Sequence, residues 1–105
     1  MIELYELRQL AAFAEAGTLS EAAEVLHLSQ PALSRNMKKL EEDLGISLFE
    51  RSKNKLELNK NGEYALELAR KLLDDADSFI TRVRDFDRKS RTITLGICAP
   101  APVWT

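Results

Sequence analysis

From Ala65 to Phe86 the apolar residues Ala65, Ala69, Leu72, Ala76, Phe79, Val83 and Phe86 recur at alternating intervals of four and three. Leu66, Leu73 and Ile80 repeat every seven residues on the adjoining flank. That is a heptad stripe, the pattern of a helix with one seam turned toward another helix. Asn59 is a fitting N-cap, and a helix running from there to about Arg88 would extend ~43 Å. The roughly sixty residues before it cannot cover so long an apolar seam. An intramolecular bundle is the alternative, but nothing else in the chain is long enough to pack along it, so the stripe predicts self-association.

The residues before the stripe read as three shorter helices and a hairpin. Leu4, Leu7, Leu10, Ala11 and Ala14 have helical spacing over Leu4–Ala16, and Gly17 is placed as a left-handed cap. Thr18 and Glu21 form a capping-box pattern that opens a second helix to His27, with Leu19, Ala22, Ala23 and Leu26 inward. Ser29 can cap a third helix over Gln30–Leu44, Pro31 is tolerated in its first turn, and Gly45 ends it. Two helices joined by so short a turn cross steeply, as in a helix-turn-helix. Ser47–Arg51 and Leu56–Asn59 read as two short strands around a polar tip, with Leu48, Phe49, Leu56 and Leu58 as anchors. The fold class is thus mostly α: a winged helix-turn-helix with a two-stranded wing and a long C-terminal dimerisation helix.

Charge is unevenly spread. The 105 residues carry 15 Lys+Arg against 17 Asp+Glu, a net charge of −2 that taken alone argues against an anionic partner. Residues 1–26 hold one base and five acids, residues 27–61 seven bases and five acids, and the remainder balances. Within the middle segment Ser29–Leu40 carries Arg35, Lys38 and Lys39 with no acid, and Arg51, Lys53, Lys55 and Lys60 cluster against Glu57 alone. On the third helix Leu33, Met37, Leu40 and Leu44 share an arc of roughly 60°. Arg35 lies nearly opposite, and Gln30, Ser34 and Lys38 fill one flank. A solvated helix face is the plain reading of such a charge run. The acid-free stretch, the short hydrogen-bonding side chains and the positive pole of the helix dipole at that end suit phosphate as well.

Other chemistries find little support. No apolar run approaches the ~18 residues of a membrane span, and the N-terminus lacks the features of a signal peptide. One Cys, Cys98, forbids an internal disulfide and suits a reducing cytoplasm. His27 has no second ligand at metal spacing and reads as a capping or packing residue. Ser20, Ser29, Ser34 and Ser47 lack a His–acid constellation, so no enzyme is expected. Gly62 stands alone, which fits close packing near a helix start better than a phosphate loop. Arg91–Ile97 is strand-like, with a turn at Ala99–Pro102 beyond it.

The run Ala22-Ala23-x-x-Leu26-His27-Leu28-Ser29-Gln30-Pro31-Ala32-Leu33-Ser34-Arg35, followed by Leu40-Glu41-x-x-Leu44-Gly45-x-x-Leu48-Phe49-x-Arg51, resembles the LysR-type transcriptional regulators. The resemblance implies a DNA-binding domain at 1–58, a linker and dimerisation helix at 59–89, and at 90–105 the start of a truncated effector-binding domain. It implies double-stranded DNA as partner, with the third helix in the major groove and the wing on backbone or minor groove. Ser29, Gln30, Pro31, Ser34, Arg35 and Lys38 match its recognition-helix positions, and Arg51, Lys53 and Lys55 its wing. A homodimer through the linker helix, higher oligomers of a full-length protein and a small-molecule effector for the missing domain follow from the same resemblance. No cofactor is expected in residues 1–105. Two departures stand out: Asn59-Lys60-Asn61-Gly62 replaces the usual Thr-x-Ala-Gly, and Asn36 replaces a common Gln. The competing reading is a winged-helix and coiled-coil module for protein assembly, without specific DNA readout.

Overall fold

In the computed structural model, residues 1–53 and 55–96 are described, with side chains through Ser90. The order is α1 (Leu4–Ala16), α2 (Leu19–Leu26), α3 (Gln30–Leu44), β1 (Phe49–Ser52), β2 (Lys55–Leu58) and α4 (Lys60–Gly96). The chain divides into two compact units, Met1–Leu73 and Asp74–Thr105.

Local signals set the helix ends of the first unit. Thr18 Oγ1 accepts the Glu21 N–H at 3.1 Å, and Ser29 Oγ accepts the Ala32 N–H at 3.2 Å. Gly17 (φ 88°) and Gly45 (φ 76°) take left-handed caps that favour glycine. α2 stops one residue earlier than its sequence suggests, because His27 itself adopts the left-handed cap at φ 59°. Its N–H bonds back to the Ala23 and Glu24 carbonyls.

The core joins Leu7, Leu10 and Phe13 of α1, Ala22 and Ala23 of α2, Leu33, Met37 and Leu40 of α3, Leu48 before β1, and Ala69 of α4. The two alanines of α2 leave room for its neighbours, as the sequence suggests. Leu4 and Leu44, expected inward, are exposed at the ends of their helices. Glu6 and Gln9 of α1 are instead buried.

β1 and β2 pair antiparallel with Phe49 opposite Leu58, Glu50 opposite Glu57, Arg51 opposite Leu56 and Ser52 opposite Lys55. The ladder begins at Phe49, not Ser47; before it Asn59 donates to the Ser47 and Leu48 carbonyls, through Nδ2 at 3.0 Å and its backbone N–H at 2.9 Å. Phe13 and Phe49 meet edge to face at 5.5 Å and 81°, seating the hairpin on α1.

Asn59 Oδ1 accepts the Gly62 N–H at 2.8 Å, so asparagine caps α4 where the family pattern has threonine. Gly62 is closely packed: a side chain there would strike the Leu48 carbonyl and come within 2.8 Å of Leu58 Cδ2.

α4 continues past Arg88 to Gly96, through residues that the sequence reads as strand. A strand leaves its N–H and C=O groups to a neighbour, whereas a helix satisfies them internally. Among the described residues the only strands are β1 and β2, which pair with each other. The strand expected over Arg91–Gly96 is therefore corrected to helix. Ile97, Cys98, the Ala99–Pro102 turn and Trp104 lie outside the described residues, as does Asn54 at the hairpin tip.

Candidate nucleic-acid interface

α3 is anchored by Leu33, Met37 and Leu40 and presents its other side outward. Gln30, Pro31, Arg35 and Lys38 are exposed, and Ser34 is half-buried. Pro31 falls in the first turn, and no acid lies there to oppose the dipole. Ser29 is exposed, and its oxygen is engaged in capping.

The hairpin register brings Arg51 to α3. Arg51 shares a sheet face with Phe49, Leu56 and Leu58, the face that packs inward. Arg51 lines a groove of about 290 Å³ together with Ser34 and Lys38 of α3. It also lines a second groove of about 300 Å³, with Gln30 at the start of α3 and Lys55 of β2. Five of the nine residues singled out in the sequence thus surround two grooves that share one guanidinium. Arg35 and Lys53 line neither groove. Lys53 sits in the turn at φ 50°, exposed. Lys55 also lies 3.9 Å from Glu57, an exposed contact worth little.

Not every base of the acid-free stretch faces outward alike. Lys39 Nζ is 3.6 Å from Glu6 Oε2 and 3.8 Å from Asp43 Oδ2. The Glu6 carboxylate, with a smaller contribution from Asp43, holds the Lys39 pKa above its ordinary 10.5 despite some desolvation. Glu6 is 0% exposed, and its Oε1 accepts the Glu3 N–H at 2.9 Å.

In the sequence Glu41 enters only as part of the LysR-like run, with no role of its own. Its Oε2 accepts the N–H groups of Leu48 at 2.8 Å and Phe49 at 3.2 Å, with the Ser47 hydroxyl also at 3.2 Å. The available signal was an acid in the last turn of a helix, where the dipole disfavours it.

The heptad residues divide. Ala69 is 1% exposed within the core of the first unit, and Ala65 is half-buried against that core. Ala69 is accordingly corrected from a partner contact to a core residue, since the winged helix itself covers that side of α4. Leu68 and Leu72 are the exposed apolar residues of that stretch. In the second unit Phe79 is 68% exposed, Ile80, Val83 and Phe86 are exposed, and Ala76 is half-buried. Phe79, Val83 and Phe86 line an open groove of about 410 Å³ with Asp75, Ser78 and Arg82.

A profile of bacterial regulatory helix-turn-helix proteins of the lysR family matches residues 4–63. The chain belongs to the LysR family. This LysR-family chain is 36% identical over 102 residues to the uncharacterized HTH-type transcriptional regulator YbhD of Escherichia coli (strain K12), covering 97% of the chain and 32% of that protein. It is 37% identical over 102 residues to the Hca operon transcriptional activator HcaR of the same organism, covering 97% and 34%. It therefore spans about a third of the length of these relatives. Both are transcription regulators. Among solved structures, the CbnR DNA-binding domain in complex with DNA superposes with a TM-score of 0.78 at 42% identity, covering 82% of this chain and 99% of that one. The BenM DNA-binding domain with benA site 1 DNA gives a TM-score of 0.76 at 34% identity, covering 81% and 99%. The winged helix with its long C-terminal helix is the fold of this LysR-family chain.

Proposed function

We propose that this chain is the DNA-binding part of a sequence-specific bacterial transcription regulator that binds double-stranded DNA as a dimer in the cytoplasm. The observation that carries the reading is the gathering of Ser34, Lys38 and Arg51, and of Gln30, Arg51 and Lys55, around adjoining grooves between α3 and the wing. DNA-bound structures of the similar CbnR and BenM domains support it. In this reading α3 enters the major groove. Arg35 and Lys38 pair with guanine edges or phosphate, Gln30 reads adenine, and Ser34 adapts to either. Ser29 and Pro31 set the start of α3 against the backbone. Lys53 and Lys55 supply phosphate contacts that add affinity with little sequence information.

The dimer forms along α4 through Phe79, Val83 and Phe86, and its two copies of α3 enter successive major grooves. The exposure of these apolar side chains supports this seam. We assign residues 90–105 to the approach to an effector-binding domain, and a small-molecule effector to that domain. None of the described helices is long and apolar enough to cross a membrane.

A gel-shift comparison tests the recognition helix: Arg35→Ala abolishes the preference for a selected duplex over a scrambled one. An Arg35→Ala chain that keeps its full discrimination contradicts the assignment.

A further inference from the structure

We propose that Glu41 is a positioning residue for DNA recognition, fixing the wing against α3 so that Arg51 stands beside Ser34 and Lys38. The proposal rests on the DNA-binding reading above; Glu41 itself lines the groove of Ser34, Lys38 and Arg51, and its carboxylate there is taken up by the wing backbone rather than by DNA.

Glu41 lies in the last turn of α3, which holds three acids and no base. An anion there opposes the helix dipole and adds nothing to the stability of the helix itself. Its Oε2 instead collects the N–H groups of Leu48 and Phe49 and the Ser47 hydroxyl, which is shared with the Phe49 carbonyl at 3.1 Å. Ser47 and Leu48 lead directly into β1, Phe49 opens it, and Arg51 follows two residues after Phe49. Only the Leu48 bond, at 2.8 Å, is of the short charge-assisted kind, and two backbone donors on one oxygen fix the direction of the segment as well as its distance. From the other side Asn59 donates to the Ser47 and Leu48 carbonyls. The entrance to the wing is thus held between a helix that carries recognition residues and the start of α4. Arg51 is the basic wing residue that this hold brings to both grooves.

A neutral acceptor in the same shape removes the charge and keeps the volume, so Glu41→Gln is the informative change. The probe is the duplex that the wild-type 105-residue chain selects from a random-sequence pool, with a scrambled duplex as control. Glu41→Gln is expected to lose about tenfold in affinity for the selected duplex, the scale of one strong hydrogen bond. With Arg51 taken as a phosphate contact and lost from both protomers of the dimer, the dependence of log K on log salt is expected to flatten by ~1.8. In a double-mutant cycle, Glu41→Gln combined with Arg51→Gln loses little more than Arg51→Gln alone, because both remove the same contact. A role in stability alone lowers the melting temperature but leaves affinity, measured well below it, and the salt slope unchanged.

If Glu41→Gln does not fold, Ser47→Ala removes one donor and keeps the carboxylate, and it must show the same non-additivity with Arg51→Gln on a smaller scale. Hydrogen exchange at the Leu48 and Phe49 amides gives a reading without DNA: both are protected in the wild type and exchange faster in whichever variant folds. A wild-type chain that selects no duplex overturns the regulator reading and this proposal with it. A folded Glu41→Gln chain that binds the selected duplex with unchanged affinity and slope, or additive effects with Arg51→Gln, overturns this proposal alone.

Discussion

Lys39 Nζ stands 3.6 Å from the Oε2 atom of Glu6, a carboxylate with no exposed surface. That oxygen has no hydrogen-bond partner, so the lysine charge is its compensation. Lys39 thus ties α3 to α1, in contrast to its neighbour Lys38, which lines the groove shared with Arg51.

A pH dependence follows from this pair. Glu6 raises the Lys39 pKa above 10.5, so folding favours the charged lysine. The stabilisation is complete below the unfolded value and is lost as pH rises from there through the raised folded value. Urea unfolding midpoints between about pH 8 and pH 12 should fall further for the wild type than for Lys39→Met, which has no such charge to lose. Parallel curves for the two chains contradict the coupling.

Gly62 should tolerate no side chain. A Cβ there meets the Leu48 carbonyl, a backbone atom held by Asn59, and Leu58 lies within 2.8 Å. Overpacking against a fixed carbonyl is expected to cost Gly62→Ala about 1–3 kcal/mol in denaturant unfolding. A variant as stable as the wild type shows that the wing base yields easily.

His27 offers the opposite test. It holds a left-handed conformation, φ 59° and ψ 40°, that L-residues adopt at a cost. His27→Gly should raise stability by about 0.5–1 kcal/mol, read from the urea midpoint at constant slope. A lower midpoint means that the imidazole contributes more than its backbone strain costs.

Much of this architecture is legible in the sequence where a single local signal decides it. Ser29, Pro31 and Gly45 bracket α3, and the capping of α4 by Asn59 follows from its side-chain chemistry. What escapes depends on contacts distant along the chain. The heptad period places Ala69 on the seam but does not tell that the winged helix claims it first. Arg91–Gly96 has the alternation of a strand, yet a strand without a neighbour yields to a continuing helix. The clamp made by Glu41 reaches seven and eight residues ahead, across the Gly45 turn, and no periodicity encodes that reach. Within the interface, sequence places Gln30, Ser34 and Lys38 on one flank of α3. The groove that gathers Ser34, Lys38 and Arg51 needs the hairpin register.

Assembly through α4 separates two kinds of heptad residue. Val83→Lys puts a charge into the exposed seam and should shift sedimentation from dimer to monomer at micromolar concentration, with little change in helical signal. Ala69→Leu overpacks the core and should lower stability by about 1–3 kcal/mol without acting on the seam directly. A Val83→Lys chain that sediments as the wild-type dimer moves the interface elsewhere.

The most direct test of the central claim is competitive binding of the wild-type chain to its selected duplex against a scrambled duplex across a salt series. The account predicts a preference of at least about a thousandfold, with affinity for both duplexes falling steeply as salt rises. Dimers that bind the two duplexes equally, or bind neither, contradict it and leave an assembly module in its place.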